Sequence, residues 1–183
     1  KHSLTQDLSR LIENSDIIIL PIPAHYHLEV IKNLARYGLG EKRIPIVLSP
    51  SRTCASPYIW KVLGESYPIA CLATSPYSAK TLAKDRVLIK RRKRTLLGSL
   101  EGIFSNEQKD MLRTLFPQAG FCDTPGLTSL SNIGAVFHPA TYMMNLTTIA
   151  ERAEQKNEFS FYMEGIALRD DVAEVLEAID QVR

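Results

Sequence analysis

The sequence predicts an α/β fold with a doubly wound parallel sheet, followed by a segment that is helical throughout. Three observations predict it. The apolar runs "DIIILPIP", "IPIVLSP" and "IACLAT" show no polar alternation, the pattern of strands buried on both faces of a parallel sheet. Stretches with apolar residues at helical spacing alternate with these runs, so the order reads helix, strand, helix, strand, helix, strand. From Ser129 onward the apolar spacing is helical and no strand-like run recurs.

The first helix is carried by Leu4, Leu8, Leu11 and Ile12 on one face and breaks at Asn14-Ser15. Ile17 to Leu20 then form a β-branched-rich strand, which Pro21 and Pro23 stop. A helix with Leu28, Ile31, Leu34 and Ala35 inward ends at "YGLG", and the strand "IPIVLSP" is again closed by proline. "SPYIWKVLGES" reads as a short helix before the third strand. Beyond it, "DRVLIKRRKRTLLGSLEG" reads as two antiparallel strands joined at the basic run Lys90 to Arg94. "NEQKDMLRTLF" is amphipathic, with Met111, Leu112, Leu115 and Phe116 inward. "LSNIGAVFHPATYMMNLTTIAERA" reads as one long helix kinked at Pro139, because proline removes a hydrogen bond and costs a helix interior about 3 kcal/mol. "FSFYMEGI" and "DDVAEVLEAIDQVR" follow as two more helices, the second opened by Asp171 and Glu174 at capping-box spacing. The sheet-bearing part gives way to the helical part near Thr124 to Leu130, so domains are expected at 1–126 and 127–183.

Composition narrows the class. With 183 residues, 45% hydrophobic and 23% charged, the chain is an ordinary globular sequence long enough for a sizeable core. A net charge of +2 gives no argument for nucleic acid or a membrane surface as partner. The apolar runs are too short to span a bilayer and carry no signal-peptide pattern. Cys54, Cys71 and Cys122 show neither a disulfide framework nor ligand spacing, so reduced thiols in a cytoplasmic protein are expected. The chain opens at Lys1 inside a helix entry, and a fragment of a longer protein is expected. His25 and His27 in "AHYH" have no Cys, Asp or third His nearby, so no metal site is expected. The run "KRRKR" reads as a solvated strand edge that blocks edge-to-edge pairing.

Ligands of an open α/β sheet bind beyond the carboxyl ends of its strands. Two strands here end in related chemistry, "ILPIPAH" and "VLSPSRT", where prolines hold extended turns with free carbonyl groups suited to a flat ring or a ribose. No G-x-G-x-x-G phosphate loop is present; "GLGEKR" follows a helix and enters a strand, so it is a helix stop. In the helical part, Ser131, Asn132, His138 and Asn145 form a polar stripe on an otherwise apolar helix, which is expected to line a cleft. Pro139 is expected to bend the helix beside His138, and an imidazole is a side chain suited to proton transfer to a carbonyl or hydroxyl.

"LSNIGAVFHPATYMMN", followed by "FYMEGI" and "EAIDQVR", resembles the start of the helical domain of the octopine/nopaline (opine) dehydrogenases. "SDIIILPIPAHYHLEVIKNL" resembles the second half of their nucleotide-binding domain, and "LATSPYSAK" is similar to their Thr-x-Pro-aromatic segment. The resemblance covers nearly the whole chain. It implies the C-terminal half of a Rossmann-like nucleotide-binding domain, followed by the start of an all-helical dehydrogenase domain. The implied activity is an NAD(P)H-dependent reductive condensation of an amino acid with a 2-oxo acid such as pyruvate, with NAD or NADP as cofactor. The implied roles are His138 as general acid/base, Asn132 and Thr74 facing the substrate, and Pro21-Ile22-Pro23 against the ribose-nicotinamide end of the cofactor. The family orients its histidine with a downstream aspartate, expected beyond Arg183, so Asp180 is not assigned. With the glycine-rich loop absent, the chain alone is expected to be inactive. Glycerol-3-phosphate dehydrogenases, similar in architecture, open the corresponding helix with Leu-Lys-Asn; Leu130-Ser131-Asn132 stands here and favours a histidine-based site. A 2-hydroxy acid or alcohol oxidoreductase of that kind, and a non-catalytic binding or dimerisation domain, are the other open readings. The expected partners are small molecules, with homo-oligomer formation left open.

Overall fold

The computed structural model describes residues 4–51, 54–91, 96–124 and 126–182. They divide into two compact units, Lys1–Ser131 and Asn132–Arg183.

In the first unit, α1 (Leu8–Glu13) leads to β1 (Ile18–Leu20), a 3-10 turn (Ala24–Tyr26) and α2 (His27–Ala35). Then come α3 (Leu39–Lys42), β2 (Ile46–Leu48), α4 (Ser56–Leu63) and β3 (Ile69–Leu72). β1, β2 and β3 are parallel neighbours. β4 (Tyr77–Ala83) and β5 (Arg86–Arg91) make a separate antiparallel pair. β6 (Leu96–Glu101) joins the main sheet antiparallel to β3, α5 (Asn106–Leu115) follows, and β7 (Ala119–Cys122) lies parallel to β6. The five-stranded order is β1-β2-β3-β6-β7. α6 (Leu127–Leu130) closes this unit.

The missing alternation in β2 and β3 has a direct cause. Ile18, Ile46, Leu48, Ile69 and Cys71 share one core with residues of α1, α2 and α4, while Val47, Ala70, Leu72, Leu96 and Leu100 share another with Leu112 and Phe116. A strand covered on both faces gains from apolar residues at every position. β1 departs from this expectation. It lies at the sheet's edge, and Ile19 is 40% exposed.

One buried carboxylate ties several elements together. Glu101, at the end of β6, accepts hydrogen bonds from the Ser56 hydroxyl at the start of α4, from Ser99 Oγ at 2.8 Å and from the Gly126 amide at 3.2 Å. The neighbouring Cys71 thiol is buried, and burial followed by the charge of Glu101 pushes its pKa up to about 12. All three cysteines are free thiols.

The second unit is helical: α7 (Ile133–Met144), α8 (Leu146–Glu154), a π-helical turn (Met163–Ala167) and α9 (Asp170–Val182). Its core is small, centred on Val136, Ala140, Val172 and Leu176.

Several sequence expectations need correction. β5 pairs with β4 through a turn at Lys84-Asp85, not with β6 through the basic run, whose Arg92 to Arg94 lie outside the described residues. The single long kinked helix is three helices. They are interrupted at Ser131-Asn132 and at Asn145, while α7 runs through Pro139. "FSFYMEGI" forms only the π-helical turn. Leu115 is 43% exposed, since Leu112 and Phe116 carry the buried face of α5. The Asp171 carboxylate is taken by Arg169 at 2.6 Å. The capping box belongs instead to α5, between Ser105 and Gln108.

Candidate active site

Parallel register aligns Leu20 with Leu48 and Leu48 with Cys71, so the segments after β1, β2 and β3 emerge at one edge of the sheet. Backbone bonds stitch these exits together: the Ser49 amide donates to Leu20 at 3.2 Å, Ser51 to Leu72 at 2.8 Å and Ala73 to Leu97 at 2.9 Å. Pro21 and Pro23 are exposed there, while the Ile22 side chain is half-buried against the core. Thr74 stands at the exit of β3, half-buried. Within the first unit, therefore, the predicted cofactor turn and Thr74 share the carboxyl edge of one sheet.

Near this edge the buried His27 Nδ1 has no hydrogen-bond partner among the described residues. His27 Nε2 lies 3.0 Å from the Ile22 carbonyl. A carbonyl only accepts, so Nε2 carries the proton and Nδ1 presents a lone pair. Burial lowers the pKa of this ring below the ordinary histidine value, more than its bond to Ile22 raises it. A cavity of about 330 Å³ lies alongside, walled by His27, Leu28, Tyr58 and Ile59 among others. At the exit of β3 a second cavity, of about 350 Å³, is lined by Thr74, Ser75, Tyr77, Ser78, Lys90 and Arg91.

In the second unit His138 is exposed on α7. Its ring stacks at 17° on Tyr142 with centroids 6.2 Å apart, and meets Phe161 at 4.9 Å. Aromatic contact of this kind holds a ring without enclosing it. Asn132, half-buried, is the N-cap residue of the same helix, six positions before His138. Asp180 lines a cavity with Ile133, Phe137 and Leu176, and His138 is not among its walls.

The rest of the polar stripe has other duties. Asn145 is buried, its amide donating to the Thr141 and Gly165 carbonyls at 2.8 and 3.0 Å while its oxygen accepts from Arg169 at 3.0 Å. It ties α7 to the π-helical turn and does not face a cleft. Ser131 bonds the Thr128 carbonyl at 3.2 Å, at the end of α6.

Sequence reasoning missed Glu101 and the cavity formed by Lys90 and Arg91. A register shift hides the second. Counting back from a turn at Lys84-Asp85 would bring Lys90 opposite Ala79, whereas an irregularity between Thr81 and Ala83 sets Lys90 opposite Ser78 and Arg91 opposite Tyr77. Among the described residues, no three His, Cys, Asp or Glu side chains gather as a metal site would require, and no helix is long and apolar enough to cross a membrane.

Residues 122–183 match the family model for the NAD/NADP octopine/nopaline dehydrogenase alpha-helical domain. The match is to the opine dehydrogenases. An opine dehydrogenase from Arthrobacter sp. (strain 1C) is 25% identical over 185 residues, spanning 98% of this chain and 49% of its own length. Octopine dehydrogenase in complex with NADH and agmatine superimposes with a TM-score of 0.62 at 20% identity, over 79% of this chain and 37% of the other. The octopine dehydrogenase complex with NADH and pyruvate gives the same TM-score and identity, over 79% and 38%. The chain thus spans about half the length of its curated opine dehydrogenase relative. Its α/β sheet followed by helices is the opine dehydrogenase fold over that span.

Proposed function

We propose that the protein acts as an opine-type dehydrogenase in the cytoplasm. The reaction is the NAD(P)H-dependent reductive condensation of an amino acid with a 2-oxo acid such as pyruvate. The observation that carries this reading is His138, an imidazole held by two aromatic rings yet open to solvent, within the segment that matches the family. Residues 1–126 serve as the nucleotide-binding part and 127–183 as the beginning of the helical part.

The chemistry needs a group that both gives and takes a proton. The amine attacks the oxo carbon, the resulting carbinolamine loses water to an imine, and hydride with a proton gives the secondary-amine dicarboxylate. Loss of water requires an acid at the departing hydroxyl, and attack requires a base for the amine proton; an imidazole near neutral pH does both. His138 takes this role, with Asn132 and Thr74 as polar contacts to the substrate. Pro21-Ile22-Pro23 receives the ribose-nicotinamide end of the cofactor. The fit rests on the exposed prolines at the sheet edge and on the buried His27 Nδ1 near it, which has no hydrogen-bond partner among the described residues. Bound there, NAD(P)H supplies the hydride.

The test is product identity. The full-length protein incubated with NADH or NADPH, pyruvate and single amino acids should oxidise the cofactor only when both co-substrates are present. Mass spectrometry should find the secondary amine. Cofactor oxidation with pyruvate alone, giving lactate, would instead support a 2-hydroxy acid oxidoreductase.

A further inference from the structure

The cavity at the exit of β3 gathers hydroxyl-bearing and cationic residues. Thr74, Ser75 and Ser78 bring three hydroxyl groups, Tyr77 an aromatic wall, and Lys90 and Arg91 two positive charges, with no acidic residue in the lining. The pairing of β4 with β5 places Lys90 opposite Ser78 and Arg91 opposite Tyr77, at the end of the hairpin where it leaves β3. The Arg91 guanidinium is steadied by the neutral Gln118 amide oxygen at 3.2 Å. Neither cation has an ion-pair partner among the described residues, whose salt bridges are Arg113–Asp110, Arg152–Glu164 and Arg169–Asp171. A strand-edge lysine that only resists aggregation needs no hydroxyl-lined hollow beside it. Three hydroxyl-bearing residues and two cationic ones lining one small volume, at the edge of the sheet where α/β ligands bind, are complementary to an anion.

We propose that this cavity binds the anionic side chain of the amino-acid substrate, so that the enzyme prefers an acidic amino acid to a neutral or cationic one. The inference rests on the proposed condensation and sharpens its amine substrate. Arg91 offers a planar fork to a carboxylate, Lys90 a second charge, and the hydroxyl groups fill the remaining acceptor sites. A guanidinium or ammonium side chain entering the same space meets two like charges. The same chemistry would hold a phosphate of the cofactor or the carboxylate common to every amino acid and 2-oxo acid, and the experiment separates these sources. A loss shared equally by L-alanine would assign the cavity to that common carboxylate and overturn the proposal.

Two measurements test it. In the first, the chain is titrated with L-glutamate under NMR observation. Amide shifts should move at Thr74, Ser75, Tyr77, Ser78, Lys90 and Arg91, and L-arginine should move none of them. Absence of shifts with L-glutamate overturns the assignment whatever the activity proves to be. In the second, the full-length enzyme is assayed with pyruvate and L-glutamate, L-aspartate, L-alanine or L-arginine. The acidic pair should lead. Lys90→Glu and the double change Lys90→Met with Arg91→Met should lower kcat/KM for L-glutamate by about 10- to 100-fold. L-alanine should stay within about twofold, and Lys90→Glu should move the preference toward L-arginine. Both residues are exposed, so the variants are expected to fold, which circular dichroism checks. An unmoved glutamate-to-arginine ratio overturns the assignment while leaving the condensation intact. A raised KM for NADPH alone would assign the cavity to a cofactor phosphate and also overturn it. No turnover with any amino acid counts against the condensation itself, and the NMR titration then decides the cavity by itself.

Discussion

Asn145 and His138 are seven residues apart in sequence, and their surroundings assign them different work. The Asn145 carboxamide is buried and makes three hydrogen bonds, so replacing it takes a donor from the carbonyls of the buried residues Thr141 and Gly165 and an acceptor from Arg169. Asn145→Ala should therefore cost about 2–3 kcal/mol, read from urea unfolding, with a loss under 0.5 kcal/mol contradicting the network's importance. His138 is exposed, and its value should appear in turnover rather than stability. A third side chain, His27, should report on pH. Burial keeps its native pKa below the ordinary histidine value, so the unfolded chain binds a proton at pH values where the native chain does not. Its contribution is complete above about pH 6.5 and declines as pH falls through the native pKa. Urea midpoints should consequently drop between pH 7.5 and 5.5, and His27→Gln should shrink that drop.

At the scale of elements, Pro139 and Gly102 make opposite demands. Pro139 lies inside α7, where its ring nitrogen offers no proton to the Ala135 carbonyl. Pro139→Ala should raise stability by about 1–3 kcal/mol in thermal unfolding. Gly102, just after β6, has φ +93° and a Cβ there would lie 2.2 Å from the Tyr67 carbonyl oxygen. Gly102→Ala should destabilise by more than about 2 kcal/mol, since both backbone strain and a clash with main chain oppose it. The elements also show what a sequence can disclose. β2 and β3 were readable because apolar cover on both faces leaves an unbroken apolar run. β4 and β5 are exposed throughout, so their side chains answer to solvent and leave only a register to count. β7, Ala119–Cys122, is held chiefly by its pairing with β6, a long-range contact that its own four residues do not announce. The breaks at Asn132 and Asn145 were hidden because apolar spacing continues through both. His138 was legible from its chemistry alone. The Lys90–Arg91 cavity was not, because it exists only after the hairpin register is known.

For the molecule as a whole, the two units differ in how much core supports them. The first has two buried clusters sandwiching its sheet, whereas the second rests on one cluster of four buried hydrophobic residues and exposes Tyr142, Met143, Leu146, Tyr162, Met163 and Leu168. Amides of α7 and α9 should exchange with solvent faster than those of β2 and β3, a contrast hydrogen exchange reads directly. His138 is the centre of the proposed chemistry, and kinetics of the full-length protein carrying His138→Ala test that role most directly. The account predicts that kcat for NAD(P)H-dependent condensation falls by about 10²- to 10⁴-fold while cofactor affinity and melting temperature are unchanged. A rate within about twofold of the unaltered enzyme would contradict it.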